Sequence, residues 1–128
     1  MDDIIREPAL KYQKATEGIT KSDFLAIVSN TGMNLTQFST LLPVSKRTIE
    51  KAKDQDLLSP VVSDRVLQIA SLYQYGSNIF GSNQQFQEWL QSSLIALGGK
   101  KPVEFINNDT GISMVNDLLG RIEHGVYS

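Results

Sequence analysis

The chain has no cysteine, one histidine, one tryptophan and four prolines in its 128 residues. Without cysteine there is no disulfide framework, no Cys-ligated zinc or iron–sulfur site and no thiol nucleophile. A lone histidine leaves no His pair for a metal and no Ser–His partnership that sequence alone nominates. No apolar run reaches the roughly 18 residues that read as a membrane span. The first residues, with Asp2, Asp3 and Glu7, lack the basic and apolar regions of a signal peptide. The expectation is a soluble cytoplasmic protein that contacts no membrane, holds no cofactor and is not an enzyme.

Neither sign of charge dominates: 12 Lys and Arg stand against 14 Asp and Glu, for a net charge of −2. That balance argues against a strong, sequence-independent grip on nucleic acid, which requires clustered cations on phosphates. The charge is unevenly placed, however. Up to Gly81 there are 9 basic and 9 acidic residues, and after it 3 and 5, so the whole excess falls in the last third. At roughly 150 residues per domain the length allows one compact unit or two small ones.

Apolar spacing points to helices almost throughout. Residues 1–18 read as a tail or a short helix interrupted by Pro8. Thr20 or Ser22 caps a helix with Phe24, Leu25, Ile27 and Val28 on one face, stopping near Gly32. Asn34 caps a second, bearing Leu35, Phe38, Leu41 and Leu42 and ended by Pro43. Ser45 caps a third, running from Lys46 to about Lys53 with Ile49 inward. Ser59-Pro60 is a strong start signal, and Val62, Val66, Ile69, Ala70 and Tyr73 predict one long amphipathic helix to about Ile79. Ser82 and Gln85 form a capping-box pattern before Phe86, Trp89, Leu90 and Leu94. Pro102 opens a one- or two-turn helix, and Asn107 to Gly111 is a turn and cap cluster. Ile112, Val115, Leu118, Leu119 and Ile122 predict the last helix, with Gly125 as its stop. No segment alternates with period two, so the fold class is all-α, with about seven helices.

The spacing from Leu35 to Lys53 is that of a helix-turn-helix. Its second helix presents Ser45, Lys46, Arg47, Thr48, Lys51 and Lys53 as candidate DNA contacts, able to reach base edges and phosphates in a major groove. Glu50, Asp54 and Asp56 dilute this patch, and on composition alone a plain αα corner with a solvated face fits the same residues equally well. Gly98-Gly99-Lys100-Lys101 lacks phosphate-loop spacing and reads as a helix-ending glycine turn. Trp89, beside Phe86 and Leu90, reads first as core. The succession of Trp89-Leu90, Leu97-Gly98-Gly99, Pro102 and Gly111 makes residues 82–128 a small, tightly turned helical module.

On these residues the sequence resembles the Xre/MbcA/ParS antitoxin family. The resemblance is carried by Phe86, Trp89-Leu90, Leu97-Gly98-Gly99, Pro102, Thr110-Gly111, Val115, Leu118-Leu119 and the closing stretch Arg121-Ile122-Glu123-His124-Gly125-Val126-Tyr127. Arg65 stands where the family has an arginine near the start of its long helix. The resemblance implies an Xre-like helix-turn-helix region over 19–81 after the 1–18 segment, and a toxin-binding domain over 82–128. It implies an antitoxin that represses its own operon and inhibits a RES-type toxin, which consumes NAD or transfers ADP-ribose, by obstructing the toxin's NAD site with the C-terminal segment. By the same carry-over Trp89, Arg121, Glu123, His124, Val126 and Tyr127 are candidates for toxin contact. A homodimer through the helix-turn-helix region is expected, since such repressors read paired half-sites. The alternative is a stand-alone repressor whose C-terminal module serves dimerisation.

Overall fold

The computed structural model describes residues 2–125, and of Asp2 and Asp3 the backbone only. It is helical throughout: α1 (Asp2–Arg6), α2 (Pro8–Glu17), α3 (Lys21–Thr31), α4 (Leu35–Ser39), α5 (Lys46–Lys51), α6 (Pro60–Phe80), α7 (Asn83–Leu90) and α8 (Asp109–Glu123). Short 3-10 helices cover Ile95–Leu97 and Pro102–Phe105. Among the described residues the only β feature is an isolated bridge between Thr20 and Leu57, and no helix is long and apolar enough to cross a membrane. The chain divides into two compact units, Met1–Ser71 and Leu72–Ser128.

In the first unit the caps do what their chemistry allows. Thr20 accepts from the Asp23 N–H, and Asn34 and Gln37 form a reciprocal capping box at the start of α4. Ser45 accepts from the Thr48 N–H at the start of α5. Gly32, at φ 80°, ends α3 in the left-handed conformation that glycine adopts without a steric cost. Phe24 and Phe38 meet edge to face at 5.7 Å, among the buried Ile27, Val28, Leu41, Leu42, Ile49, Val62 and Val66. The stretch after α2 is sewn to the stretch before α6. Lys21 N donates to Asp56 O, Ser22 N to Asp54 O and Leu58 N to Ile19 O, while the fully buried Ser63 hydroxyl accepts from Ile19 N at 2.9 Å.

Sequence reading and structure part at the chain start. Where the sequence reads as a tail or one short helix, residues 2–17 hold two helices, because Pro8 sits in the first turn of α2, where its missing N–H is harmless. Two boundaries also fall short of expectation. α5 ends at Lys51, with Ala52 already extended, and α7 ends at Leu90, so Leu94 lies on the following turn and not on the helix face.

In the second unit Leu72, Tyr73, Phe86, Leu90, Pro102, Ile106, Ile112, Val115 and Leu119 are buried. Two glycines are fixed by close approach. A Cβ on Gly76 would lie 2.3 Å from the Phe86 ring, and one on Gly111 would lie 1.6 Å from the Phe105 carbonyl oxygen. Gly111 thus brings the first turn of α8 against the Pro102–Phe105 helix, where its N–H also donates to the Asn108 side-chain oxygen at 2.8 Å, capping the helix.

Candidate functional site

The first candidate is the α4–α5 pair. Ser45, Lys46, Arg47, Thr48, Lys51 and Lys53 are all exposed, and Ile49 faces the core at 1% exposure, so α5 offers one apolar anchor and an otherwise solvent-facing polar surface. The Ser45 and Thr48 hydroxyls lie 3.0 Å apart at its N-terminus. Lys46 is within 3.9 Å of the Glu50 carboxylate, both well exposed, a pairing of little energetic weight. Two residues outside the pair hold it. Lys21 Nζ donates to the Ala52 carbonyl at 2.7 Å and the Glu50 carbonyl at 3.3 Å, placing a cation at the negative end of α5. Arg65 NH1 donates to the Leu41 carbonyl at 3.1 Å just beyond α4. Arg65 was legible in the sequence as a family position, but Lys21 was not, because nothing local announces that a lysine on one helix closes the end of another.

The second candidate lies in the Leu72–Ser128 unit. Trp89 is half-buried and stacks on Phe86 at 5.9 Å with an interplanar angle of 18°, and it tilts against Phe80 at 5.4 Å. Phe80 stacks on Phe86 in turn, and Tyr73 meets the edge of Phe86 at 5.0 Å. Burial pushes the Tyr73 hydroxyl well above the usual phenol range, and this hydroxyl donates to the Gln87 side-chain oxygen. Trp89 is therefore built into an aromatic cluster and stays partly exposed.

At the far end of the unit, Arg121, Glu123 and His124 are exposed at the close of α8. Glu123 Oε1 accepts from the Tyr75 hydroxyl at 2.8 Å and lies 3.6 Å from His124 Nε2. Hydrogen bonding to that carboxylate raises the Tyr75 pKa, with desolvation and the Glu123 charge adding in the same direction. Gly125, at φ 70°, turns the chain immediately after. Trp89 is not brought into contact with this group by any described interaction. Val126 and Tyr127 lie outside the described residues. Tyr75 escaped the sequence reading because its partner is 48 positions away. Among the described residues there is no group of three or more His, Asp or Glu side chains placed to hold a metal ion.

Comparison with known proteins follows the same division. A model of the antitoxin Xre-like helix-turn-helix domain matches residues 12–71, and a model of the antitoxin Xre/MbcA/ParS C-terminal toxin-binding domain matches residues 76–125. The sequence is similar to antitoxin Xre of Yersinia enterocolitica serotype O:8 / biotype 1B, 26% identical over 87 residues, which is 66% of this chain and 59% of that protein. The aligned part thus spans less than two thirds of that relative's length. The fold is similar to that of a chain in the crystal structure of the M. tuberculosis MbcT–MbcA toxin–antitoxin complex, with a TM-score of 0.62 and 17% identity, covering 84% of this chain and 96% of that one. With both its helix-turn-helix region and its C-terminal module matched, the chain belongs to the Xre/MbcA/ParS antitoxin family.

Proposed function

We propose that this protein is the antitoxin of a toxin–antitoxin pair, a non-enzymatic cytoplasmic inhibitor that binds a RES-type, NAD-consuming or ADP-ribosylating toxin through its C-terminal module. The observation that carries the reading is the match of residues 76–125 to a toxin-binding domain. In this reading the end of α8 and the residues after it obstruct the toxin's NAD site. Arg121, Glu123, His124, Val126 and Tyr127 make the contact, with Trp89 on the supporting aromatic cluster. The acidity of the last third complements a pocket built for the anionic pyrophosphate of NAD, since charge complementarity selects partners and speeds encounter.

The α4–α5 pair binds the protein's own operator, with Ser45, Lys46, Arg47 and Thr48 entering the major groove and Lys51 and Lys53 on phosphates. Two copies read paired half-sites. The exposed apolar side chains Leu57 and Val61, at 60% and 66% exposure in the first unit, support a self-contact there.

The test is co-purification with the product of the neighbouring toxin gene. A stable complex supports the reading, and separate elution at micromolar concentrations rejects it. Within a complex, Glu123→Arg is expected to weaken neutralisation of the co-expressed toxin. Neutralisation equal to that of the unaltered protein removes Glu123 from the contact.

A further inference from the structure

The turn after α7 carries the most exposed large apolar side chain recorded for the described residues: Ile95 is 98% exposed. Single exposed apolar residues are ordinary on protein surfaces, so exposure alone carries nothing. What sets Ile95 apart is the rigidity of its mount. Leu97 N and Gly99 N both donate to Leu94 O, at 3.0 and 2.8 Å, Leu94 N to Lys100 O at 3.0 Å, Gly98 N to Ile95 O at 3.0 Å and Lys100 N to Leu97 O at 3.2 Å. Gly98 and Gly99, at φ 66° and 84°, make this tight closure accessible. Leu94 and Leu97 are half-buried and Ala96 is exposed, so the 3-10 turn anchors two leucines three positions apart on one side and leaves Ile95 on the outside.

The turn itself carries no carboxylate from Gln91 to Lys101, and its two cations, Lys100 and Lys101, are both exposed. An acidic group does adjoin them: the Glu104 carboxylate accepts from the Lys101 backbone N–H at 2.8 Å. Lys100 and Lys101 are two of the three basic residues after Gly81, in a stretch that is otherwise net acidic. A preordered apolar knob beside two cations is cheap to bind through, because its backbone entropy has already been lost. The turn lies within the segment matched to a toxin-binding domain.

We infer that Ile95 is an anchor for the toxin, inserting into an apolar socket on the toxin surface rimmed by carboxylates that face Lys100 and Lys101, away from the NAD site. The inference rests on the antitoxin reading and adds a second point of attachment to the C-terminal segment. Two attachments fix the orientation with which that segment meets the toxin, and Ile95 supplies the fully desolvated contact that dominates such interfaces.

The experiment measures binding of the full chain to the purified product of the neighbouring toxin gene, by biolayer interferometry at low and high salt, for the unaltered protein, Ile95→Ala, Ile95→Glu and the double variant Lys100→Glu/Lys101→Glu. Since Ile95 packs against nothing, thermal melting of its variants should match the unaltered protein. Ile95→Ala is expected to raise Kd about tenfold or more, through faster dissociation, and Ile95→Glu further. The double lysine variant is expected to slow association at low salt and flatten its salt dependence. Unchanged Kd for both isoleucine variants overturns the inference while the antitoxin reading stands. Unchanged toxin binding with loss of self-association in sedimentation also overturns it. In that case the knob serves a second copy, for example in the cleft of about 500 Å³ lined by Glu104, Phe105 and Met114. Absence of binding by the unaltered protein overturns both readings together.

Discussion

The Tyr75 hydroxyl, on α6, donates to the Glu123 carboxylate at the last turn of α8, at 2.8 Å across 48 positions of sequence. It ties the last turn of α8 to α6, two residues before Gly125 turns the chain. Tyr75 is thus a positioning residue for the end of α8. Removing its hydroxyl in Tyr75→Phe should leave the aromatic cluster of Phe80, Phe86 and Trp89 intact and speed amide hydrogen exchange at residues 120–125. Unchanged exchange there would show that the contact holds nothing.

The same contact has a pH signature. The carboxylate raises the Tyr75 pKa, so the hydrogen bond is intact below the ordinary phenol value of about 10 and is lost as pH rises through the raised folded value. In Glu123→Gln the charge is gone, and the Tyr75 phenol should titrate at lower pH than in the unaltered protein, followed by its ring NMR signals. An identical titration in both proteins would contradict the assignment of the shift to Glu123.

Two glycines of α8 should respond oppositely to the same substitution. In Gly111→Ala the new methyl meets the Phe105 carbonyl oxygen at 1.6 Å, which the backbone must move to relieve, so a loss of about 3 kcal/mol is expected in urea unfolding. In Gly120→Ala the methyl lies 3.7 Å from the Tyr75 hydroxyl, an ordinary contact within a helix, and a gain of about 0.5–1 kcal/mol is expected. Equal effects would mean that α8 does not approach the Pro102–Phe105 helix as described.

Two arginines separate framework from contact in the helix-turn-helix. Arg47 is exposed on α5, so Arg47→Ala should weaken operator binding and lower the slope of log K against log salt by about 1. Arg65 reaches the Leu41 carbonyl, so Arg65→Ala should cost about 1–2 kcal/mol of stability and weaken operator binding with the salt slope unchanged. A fall in slope for Arg65→Ala would make it a phosphate contact.

Much of this was legible in the sequence for local reasons. Caps and stops such as Thr20, Asn34, Ser45, Gly32 and Gly125 act within four residues of themselves, and the apolar spacing of α6 and α8 reports a buried face directly. The family motif likewise marked Trp89 and the Leu97-Gly98-Gly99 turn. Non-local reasons stayed hidden. Gly111 is a glycine because of Phe105, Gly76 because of Phe86, and Lys21 matters through Ala52 and Glu50. Neither composition nor periodicity shows which side of a turn will face water, so Ile95 read as one more apolar residue in a row of them. The second helix at the N-terminus is hidden because Pro8 reads locally as an interruption, whereas it stands in a helix's first turn.

If this chain silences an NAD-consuming partner by binding it, as proposed, NAD consumption by the purified product of a toxin gene beside its own should fall to baseline near equimolar protein as the chain is titrated in. Undiminished NAD consumption at a clear molar excess would contradict the proposal.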